Sequence, residues 1–217
     1  QANDTSFANG SGAAELDEGR FAIFSGTKLL VSDFNNNRVL VWNDIPVKSN
    51  TPPDLVLGQD DFYSNTPGLG AKKMNWPMGV ATDGEKLIVG DANNDRVLIW
   101  NKFPTGNGEP ADLVLGAPDF DTWPNYADRT QERNPKTRIY WPWDVWSDGK
   151  KLVVGSTGGG GALVWNTFPT RNNQPADILV GAKDFGERFK GTGGESLAEW
   201  IGGPRGIASD GRHLVIS

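Results

Sequence analysis

Short apolar runs recur along the chain, and each is bounded by turn residues. The runs are rich in Val, Leu, Ile and Trp, and none has the 3.6-residue period of an amphipathic helix. Runs of this length and composition predict β-strands. They fall into three recurring groups: 29–31, 87–89, 152–154 and 214–216; then 39–42, 97–100 and 163–165; then 55–57, 113–115 and 178–180.

The spacing of these runs predicts a repeat array. In three copies, glycines that bracket the strands are 32 residues apart, whereas the intervals between copies vary from 26 to 33 residues. A rigid unit with one variable connector is typical of repeat proteins. We therefore expect a polar N-terminal segment at 1–19 and a repeat domain at 20–217. Its blades span about 20–58, 77–116, 142–181 and, incompletely, 204–217.

Each unit predicts four antiparallel strands. Asp-Gly pairs at 83–84, 148–149 and 210–211 separate the first strand from the second, and they predict two-residue hairpins. The second and third runs are continuously apolar, so both faces of those strands must be covered, as in sheets stacked between other sheets. The pattern favours an all-β protein of the β-propeller class.

Two motifs resemble the NHL repeat. The segments 77–84 (PMGVATDG) and 87–97 (LIVGDANNDRV) carry the likeness, and 33–39 (DFNNNRV) repeats it in the first unit. The segment 58–62 (GQDDF), echoed by Asp-Phe at 119–120 and 184–185, is similar to a long-connector subtype of prokaryotic secreted or surface proteins. The resemblance implies a scaffolding propeller, commonly of six blades.

The blade count falls short of a closed ring. Three complete units and half of a fourth are present, whereas propellers close with about four to eight blades. Open sheet edges would carry unpaired backbone groups. We therefore expect the chain to be part of a larger ring, or to self-associate through its open blade edges.

Composition excludes several classes of function. The net charge is −6, which disfavours a nucleic-acid partner, and no apolar run is long enough for a membrane-spanning helix. The chain has no cysteine and one histidine, His213, so thiolate sites and paired imidazoles are excluded within it. A cysteine-free, glycine-rich acidic chain favours an extracytoplasmic location.

An Asp-x-Asn-x-Asn/Asp pattern suggests two alternative roles. At 33–37 and 91–95 it resembles the alternating oxygen ligands of a calcium loop, but no closing glutamate follows. The alternative is that Asp33 with Arg38, and Asp91 with Arg96, form charge-paired structural struts across a turn. The third unit has lost both charges together, which favours struts and makes calcium the less favoured cofactor.

Exposed aromatic residues are the candidate binding groups. Trp42, Trp100 and Trp165 recur in the third strand and are predicted to be core residues. The remaining candidates, assigned largely to one long connector, are Trp123, Tyr126, Tyr140, Trp143 and Trp146, with Trp200 in the next. Such rings suit stacking on sugars or a protein contact, although an insertion also needs aromatic residues for its own core.

The leading hypothesis is a non-enzymatic propeller scaffold that binds a protein or carbohydrate through its connector loops. In antiparallel blades these connectors lie on the same side as the turns between second and third strands. The alternative is a metal-dependent lyase or lactonase-like enzyme with its ligands in blades outside this sequence. Within this chain Asp144 is the main polar residue in the first strands, His213 is expected to be structural, and no catalytic or metal residue is assigned.

Overall fold

The described residues form an all-β protein, as predicted. The computed structural model describes residues 15–124, 135–185 and 201–217. Within them lie three four-stranded antiparallel sheets and one two-stranded sheet. No helix in these ranges is long and apolar enough to cross a membrane.

The strands follow chain order within each sheet. Sheet 1 contains β1 (Gly19–Ser25), β2 (Lys28–Asp33), β3 (Arg38–Trp42) and β4 (Leu55–Leu57); sheet 2 contains β5 (Pro77–Thr82), β6 (Leu87–Asp91), β7 (Arg96–Trp100) and β8 (Leu113–Leu115); sheet 3 contains β9 (Pro142–Ser147), β10 (Leu152–Ser156), β11 (Ala162–Trp165) and β12 (Ile178–Val180); sheet 4 contains β13 (Ile207–Ser209) and β14 (Leu214–Ile216).

The third strand of each four-stranded sheet ends in a buried tryptophan. Trp42, Trp100 and Trp165 are at most 6% exposed, which confirms their prediction as core residues. Each indole N–H donates to a carbonyl nine residues further along, at 2.9–3.0 Å. The indole therefore fastens the link between third and fourth strands to the sheet while its rings fill the core.

The three Asp-Gly turns between first and second strands are longer than predicted. In sheet 2 the last pair is Thr82 with Leu87, so four residues form the turn rather than two. Asp83 explains this, because its Oδ1 accepts the N–H groups of Glu85 at 2.9 Å and Lys86 at 2.6 Å. The side chain stabilises a wider turn, so the two-residue prediction was wrong.

The hydrophobic core lies between the sheets. One cluster joins Val39 and Leu57 of sheet 1 to Val89 of sheet 2, and a second joins Ile99 of sheet 2 to Leu163 of sheet 3. Strands β3, β6 and β7 are consequently buried at every position. Sheets 1 and 3 cover the two faces of sheet 2, so the sequences of β6 and β7 are continuously apolar.

Sheet 4 is less covered than the sheets before it. Leu214 and Val215 are exposed side chains of β14, whereas the matching Leu152 and Val153 of sheet 3 are buried. Ile207 of sheet 4 nevertheless packs with the buried Val153 cluster, so sheet 4 continues the same stacking.

The two ends of each sheet carry different turns and connectors. At one end lie the turns 34–37, 92–95 and 157–161 together with the described parts of the connectors, 58–76, 116–124, 135–141, 181–185 and 201–206. We call this end the connector face. Backbone bonds tie the two sets together: Asn93 N–H donates to Asn75 C=O at 3.0 Å, and Gly158 N–H to Tyr140 C=O at 3.1 Å. The first-to-second-strand turns lie at the opposite end.

Candidate functional site

A buried ion pair holds the turn of sheet 2 at the connector face. Arg96 Nε donates to Asp91 Oδ2 at 2.7 Å, and both side chains are fully buried. Asp91 also accepts the Asn94 side-chain amide at 2.8 Å and the Asn75 backbone N–H at 2.6 Å. Burial raises the pKa of Asp91, while the charge of Arg96 and these hydrogen bonds lower it.

The guanidinium of Arg96 also joins the connectors on either side of sheet 2. Its Nη1 donates to Phe120 C=O at 2.6 Å, in the connector that leaves the sheet. Its Nη2 donates to Gly70 C=O at 3.1 Å and Lys73 C=O at 3.0 Å, in the connector that enters it. Arg96 therefore fixes the backbone of two loops as well as closing a turn.

The same arrangement recurs in sheet 1 and changes in sheet 3. Arg38 Nε lies 2.7 Å from Asp33 Oδ2, and the guanidinium also donates to the carbonyls of Phe62 and Glu15. In sheet 3 Ser156 takes the aspartate position and its Oγ accepts the Tyr140 N–H at 2.9 Å. A hydroxyl thus keeps the backbone contact without a charge that would need a guanidinium.

These contacts bear on the calcium alternative. The two Asp91 oxygens accept three N–H groups, one of them cationic, and Asp95 Oδ1 accepts the Trp141 N–H at 2.8 Å. A carboxylate whose oxygens already accept N–H donors fits a cation poorly. Among the described residues there is no group of three or more His, Cys, Asp or Glu placed to hold a metal ion.

A recurring Asp-Phe motif positions Trp123 on the connector face. Asp119 Oδ1 accepts the N–H groups of Asp121 at 3.0 Å and Thr122 at 2.7 Å, which forms a tight turn. Phe120 packs against the core between sheets 1 and 2. Phe120 therefore anchors the turn to the core, and Trp123, which follows the turn, remains 52% exposed.

Trp123 borders an open cleft of about 360 Å³. The opposite wall is the segment 67–69 of the preceding connector, and its floor is made by asparagines next to the sheet 2 strut. Asn94 holds this wall in place, because its amide donates to Gly68 C=O at 2.9 Å as well as to Asp91. The lining residues are Pro67, Gly68, Leu69, Asn75, Asn93, Asn94 and Trp123.

The other predicted binding residues that the structure describes do not line this cleft. Tyr140 lies at the end of the same connector and packs against Gly158, where an added Cβ would be 2.6 Å from its ring. Trp143 and Trp146 lie in β9 rather than in the connector, so their assignment to the loop was wrong. Tyr126 and Trp200 lie outside the described residues.

Trp143 and Trp146, the two tryptophans wrongly assigned to the loop, lie against other parts of the fold. Trp143 is half-buried against the cluster around Met78, with the Arg205 guanidinium 4.8 Å from the ring centroid. Trp146 lines a second cavity, described below. The Trp-Pro step at 141–142 marks the start of β9, and this was the signal that could have placed both residues in the strand.

A row of rings outside the predicted binding set crosses the connector face. Phe34 stacks on Trp76 with centroids 5.1 Å apart, and Trp76 meets Trp141 edge-on at 6.0 Å. Trp76 and Trp141 adopt the left-handed conformation, with φ of 56° and 54°, which is rare for bulky residues.

A side chain of the preceding sheet holds each of these tryptophans. Trp76 N–H donates to Asn37 Oδ1 at 3.0 Å, and Trp141 N–H donates to Asp95 Oδ1 at 2.8 Å. Each of these hydrogen bonds therefore links one sheet to the next.

Asp95 makes the second of these contacts sensitive to pH. Burial and the neighbouring Asp91 raise its pKa, the Trp141 N–H and the charge of Arg138 lower it, and the resulting pKa is about 7. The unfolded carboxyl titrates near pH 3.8, so between these values ionisation favours the unfolded chain. Stability should therefore fall as pH rises from 3.8 to about 7 and level off above that.

We expect Asp95→Asn to remove this pH dependence. An amide oxygen can still accept the Trp141 N–H, as Asn37 does for Trp76, and no buried charge is formed. At pH 8 the variant should exceed the parent by about 1–2 kcal/mol in unfolding free energy. Urea unfolding at pH 5 to 8 measures this, with the exposed Asp44→Asn as control. Parallel pH curves for parent and Asp95→Asn would contradict it.

A second cavity, of about 260 Å³, is lined by first strands of all four sheets. Asp144 is its buried acidic residue, and its oxygens accept the N–H groups of Val145 at 2.8 Å and Ile207 at 2.7 Å. Burial raises the pKa of Asp144 to about 6. The carboxyl thus bridges sheets 3 and 4, and the rest of the lining is largely apolar.

His213 lies in the turn before β14. Its Nδ1 is 3.0 Å from Asp210 Oδ2, and both side chains are exposed. This contact is the main cause that lowers the pKa of Asp210 to about 2. The histidine belongs to the turn and lines neither of the two cavities.

Comparison with known proteins bears on the fold alone. No protein-family model and no curated protein matches the chain. A solved structure of a proposed 6-phosphogluconolactonase from Bacteroides uniformis is similar, with a TM-score of 0.52 and 12% sequence identity. The match covers 94% of this chain and 50% of that one, so this chain spans half the length of its structural neighbour.

A second match is weaker. It is a chain in a humanized mutant of the Chaetomium thermophilum Polycomb Repressive Complex 2 bound to the inhibitor GSK126. Its TM-score is 0.38 at 10% identity, covering 70% of this chain and 28% of that one, which is too low to support an argument.

Proposed function

We propose that this chain is part of an NHL-type β-propeller that binds a protein or carbohydrate partner through its connector face. We propose further that it is a non-enzymatic scaffold, located outside the cytoplasm, without a nucleic-acid partner. The single observation that carries the binding role is the cleft beside Trp123. It combines a half-exposed indole with a wall and a floor that are held by hydrogen bonds.

The propeller assignment rests on the way the sheets succeed one another. The first strands of sheets 2 and 3 lie so close that Gly79 has no room for a side chain against Asp144. First strands from all four sheets line one cavity, as around the axis of a propeller. The likeness to a chain of twice this length, and the exposed side chains of β14, support a ring with more blades.

The cleft has the properties of a binding site for a small part of a partner. Its volume of about 360 Å³ lies in the range of ligand pockets. It is formed by two connectors that Arg96 joins to sheet 2, so its walls are preorganised. Binding to a preformed cleft avoids the entropic cost of ordering loops.

Replacing Trp123 tests this function. We expect Trp123→Ala to leave thermal stability nearly unchanged, because the ring is exposed, and to weaken partner binding by tenfold or more. The measurement is binding of the parent and variants to an array that carries both glycans and peptides. Tyr63→Ala is the matched control, since Tyr63 is an exposed connector aromatic (69%) outside the cleft lining.

Two results would overturn the proposal. One is array binding that Trp123→Ala leaves intact, which would place the site elsewhere. The other is loss of thermal stability in Trp123→Ala, which would make the ring a core residue of its connector. Loss of binding in both aromatic variants would show that the array detects nonspecific binding by exposed aromatic side chains and not binding at this cleft.

A lactonase-like or lyase enzyme is the second candidate. The fold likeness to a proposed 6-phosphogluconolactonase and the buried carboxyl of Asp144 beside the first-strand cavity favour it. Both Asp144 oxygens, however, already accept backbone N–H groups. Hydrolysis of 6-phosphogluconolactone that is lost in Asp144→Asn would support the enzyme over the scaffold.

A further inference from the structure

Among the residues that the structure describes, those lining the cleft beside Trp123 are all uncharged. The polar side chains among them are three asparagines, and the amide N–H groups of Asn94 donate to Asp91 and Gly68 C=O. In the part of the chain that the structure describes, the side-chain amides of Asn75 and Asn93 have no hydrogen-bond partner. Each therefore has donors and an acceptor available to a ligand.

The matching positions in the other sheets are closed. In sheet 1, Asn35 Nδ2 donates to Asp17 Oδ1 at 3.1 Å, so the matching side chains are bonded to each other. In sheet 3 the Tyr140 ring packs over Gly158, which has no side chain. The pair in sheet 2 is left open, at the place where an exposed indole from the next connector faces it.

We propose that the cleft binds a neutral pyranose unit of a glycan, an inference that rests on the connector-face function proposed above. The apolar face of the sugar ring stacks on Trp123, and its hydroxyls bond to Asn75 and Asn93. A carboxamide both donates and accepts, and so does a hydroxyl, so one amide serves two adjacent hydroxyls. The indole contributes apolar contact area at little entropic cost.

The described part of the lining carries no charge, which disfavours acidic sugars. An anionic substituent would lose its hydration without gaining a cationic partner in the cleft. The net charge of −6 adds long-range repulsion. A neutral ring carries no such cost.

A proline-rich peptide is the competing ligand, and the geometry favours it less. Grooves that bind polyproline helices are lined with aromatic rings along their length. Among the described lining residues Trp123 is the one aromatic ring, and the free groups are amides suited to hydroxyl pairs.

Calorimetry on the whole chain tests the proposal. The probes are cellohexaose, mannohexaose and N-acetylchitohexaose as neutral glycans, hexagalacturonate as an acidic glycan, and a proline decapeptide. We expect at least one neutral hexasaccharide to bind below 1 mM. Asn93→Ala should weaken that binding three- to tenfold, the effect of losing one or two hydrogen bonds. Asn35→Ala, whose side chain is paired within sheet 1, is the matched control and should bind as the parent does.

The outcomes separate this inference from the function on which it rests. Binding of only the decapeptide or only hexagalacturonate, lost in Trp123→Ala, would overturn the neutral sugar and leave connector-face binding standing. A neutral glycan that still binds Trp123→Ala would overturn both. If no neutral hexasaccharide binds at 1 mM, the assignment of the cleft to a neutral pyranose is wrong.

Discussion

Replacing Arg96 with alanine is expected to lower the unfolding free energy by about 3–5 kcal/mol, the usual cost of breaking a buried ion pair from one side. The variant leaves Asp91 fully buried without its cationic partner. It also removes the donors to the carbonyls of Phe120, Gly70 and Lys73. Urea unfolding followed by tryptophan fluorescence measures the loss.

Two further variants distinguish the effect of the buried Asp91–Arg96 ion pair from that of an exposed ion pair. The double variant Asp91→Ser/Arg96→Ala should cost less than Arg96→Ala alone, because it leaves no unpaired buried carboxylate. Sheet 3 supports this, since Ser156 already fills the same position. Arg20→Ala breaks an exposed pair with Glu18 and should cost less than about 1 kcal/mol.

Two results would contradict the interpretation of Asp91 and Arg96 as a structural strut. If Arg96→Ala loses less than about 1 kcal/mol, the pair is not a major stabilising element. Calcium that binds the parent chain and no longer binds Asp91→Ala would support the calcium interpretation instead. Mass spectrometry under native conditions with added calcium distinguishes the two.

The repeat architecture was accessible from the sequence because its signals are local. Strand positions follow from apolar runs, and the fixed interval between Gly26 and Gly58 recurs in the next two units. Residues such as Trp100 recur at one place in each unit, so their burial could be predicted without knowing their partners. Because the unit occurs three times, each of its strands can be predicted independently three times.

The clamping role of Arg96 could not be predicted from the sequence in the same way. Its carbonyl partners lie 23 to 26 residues away in two different connectors. Backbone carbonyls carry no residue-specific signal, because any residue could supply them. The sequence indicated a charge pair across the turn, and the contacts to the loops appear only in three dimensions.

The left-handed tryptophans were missed for a related reason. Trp76 and Trp141 have side chains that disfavour positive φ, so no local propensity predicts this conformation. It is stabilised by side chains of the preceding sheet, at Asn37 and Asp95. In hindsight, the available signal was the recurrence of Trp-Pro together with Asn or Asp at the fifth position of the preceding turn.

The candidate cleft was only partly predictable. Trp123 was identified as an exposed connector aromatic, and it is half-exposed at the cleft. Asn75 and Asn93 were not singled out, because asparagine in a turn is usually explained by the conformations it tolerates. Their importance follows from a comparison of sheets, in which Asn35 bonds to Asp17, whereas Asn75 and Asn93 line the cleft.

Gly79→Ala is expected to destabilise the chain by about 3 kcal/mol or more, the upper range for overpacking. An added Cβ would lie 2.5 Å from Asp144 Cα and 2.7 Å from Val145 N. These are backbone atoms of β9, so no side-chain rotation relieves the clash. The first strands of sheets 2 and 3 would have to separate, which opens the core between those sheets.

Gly84→Ala is the control that separates crowding from backbone conformation. Gly84 has a φ of 94°, and nothing lies within 4 Å of an added Cβ, so alanine there meets conformational strain without a clash. We expect that variant to lose about 1–2 kcal/mol, less than Gly79→Ala. Gly79 lies outside the range of φ that requires glycine, so its loss would come from contact alone. Equal losses in the two variants would mean that the close approach of β5 and β9 does not limit stability, and the axial arrangement of first strands on which the propeller proposal rests would lose its main support.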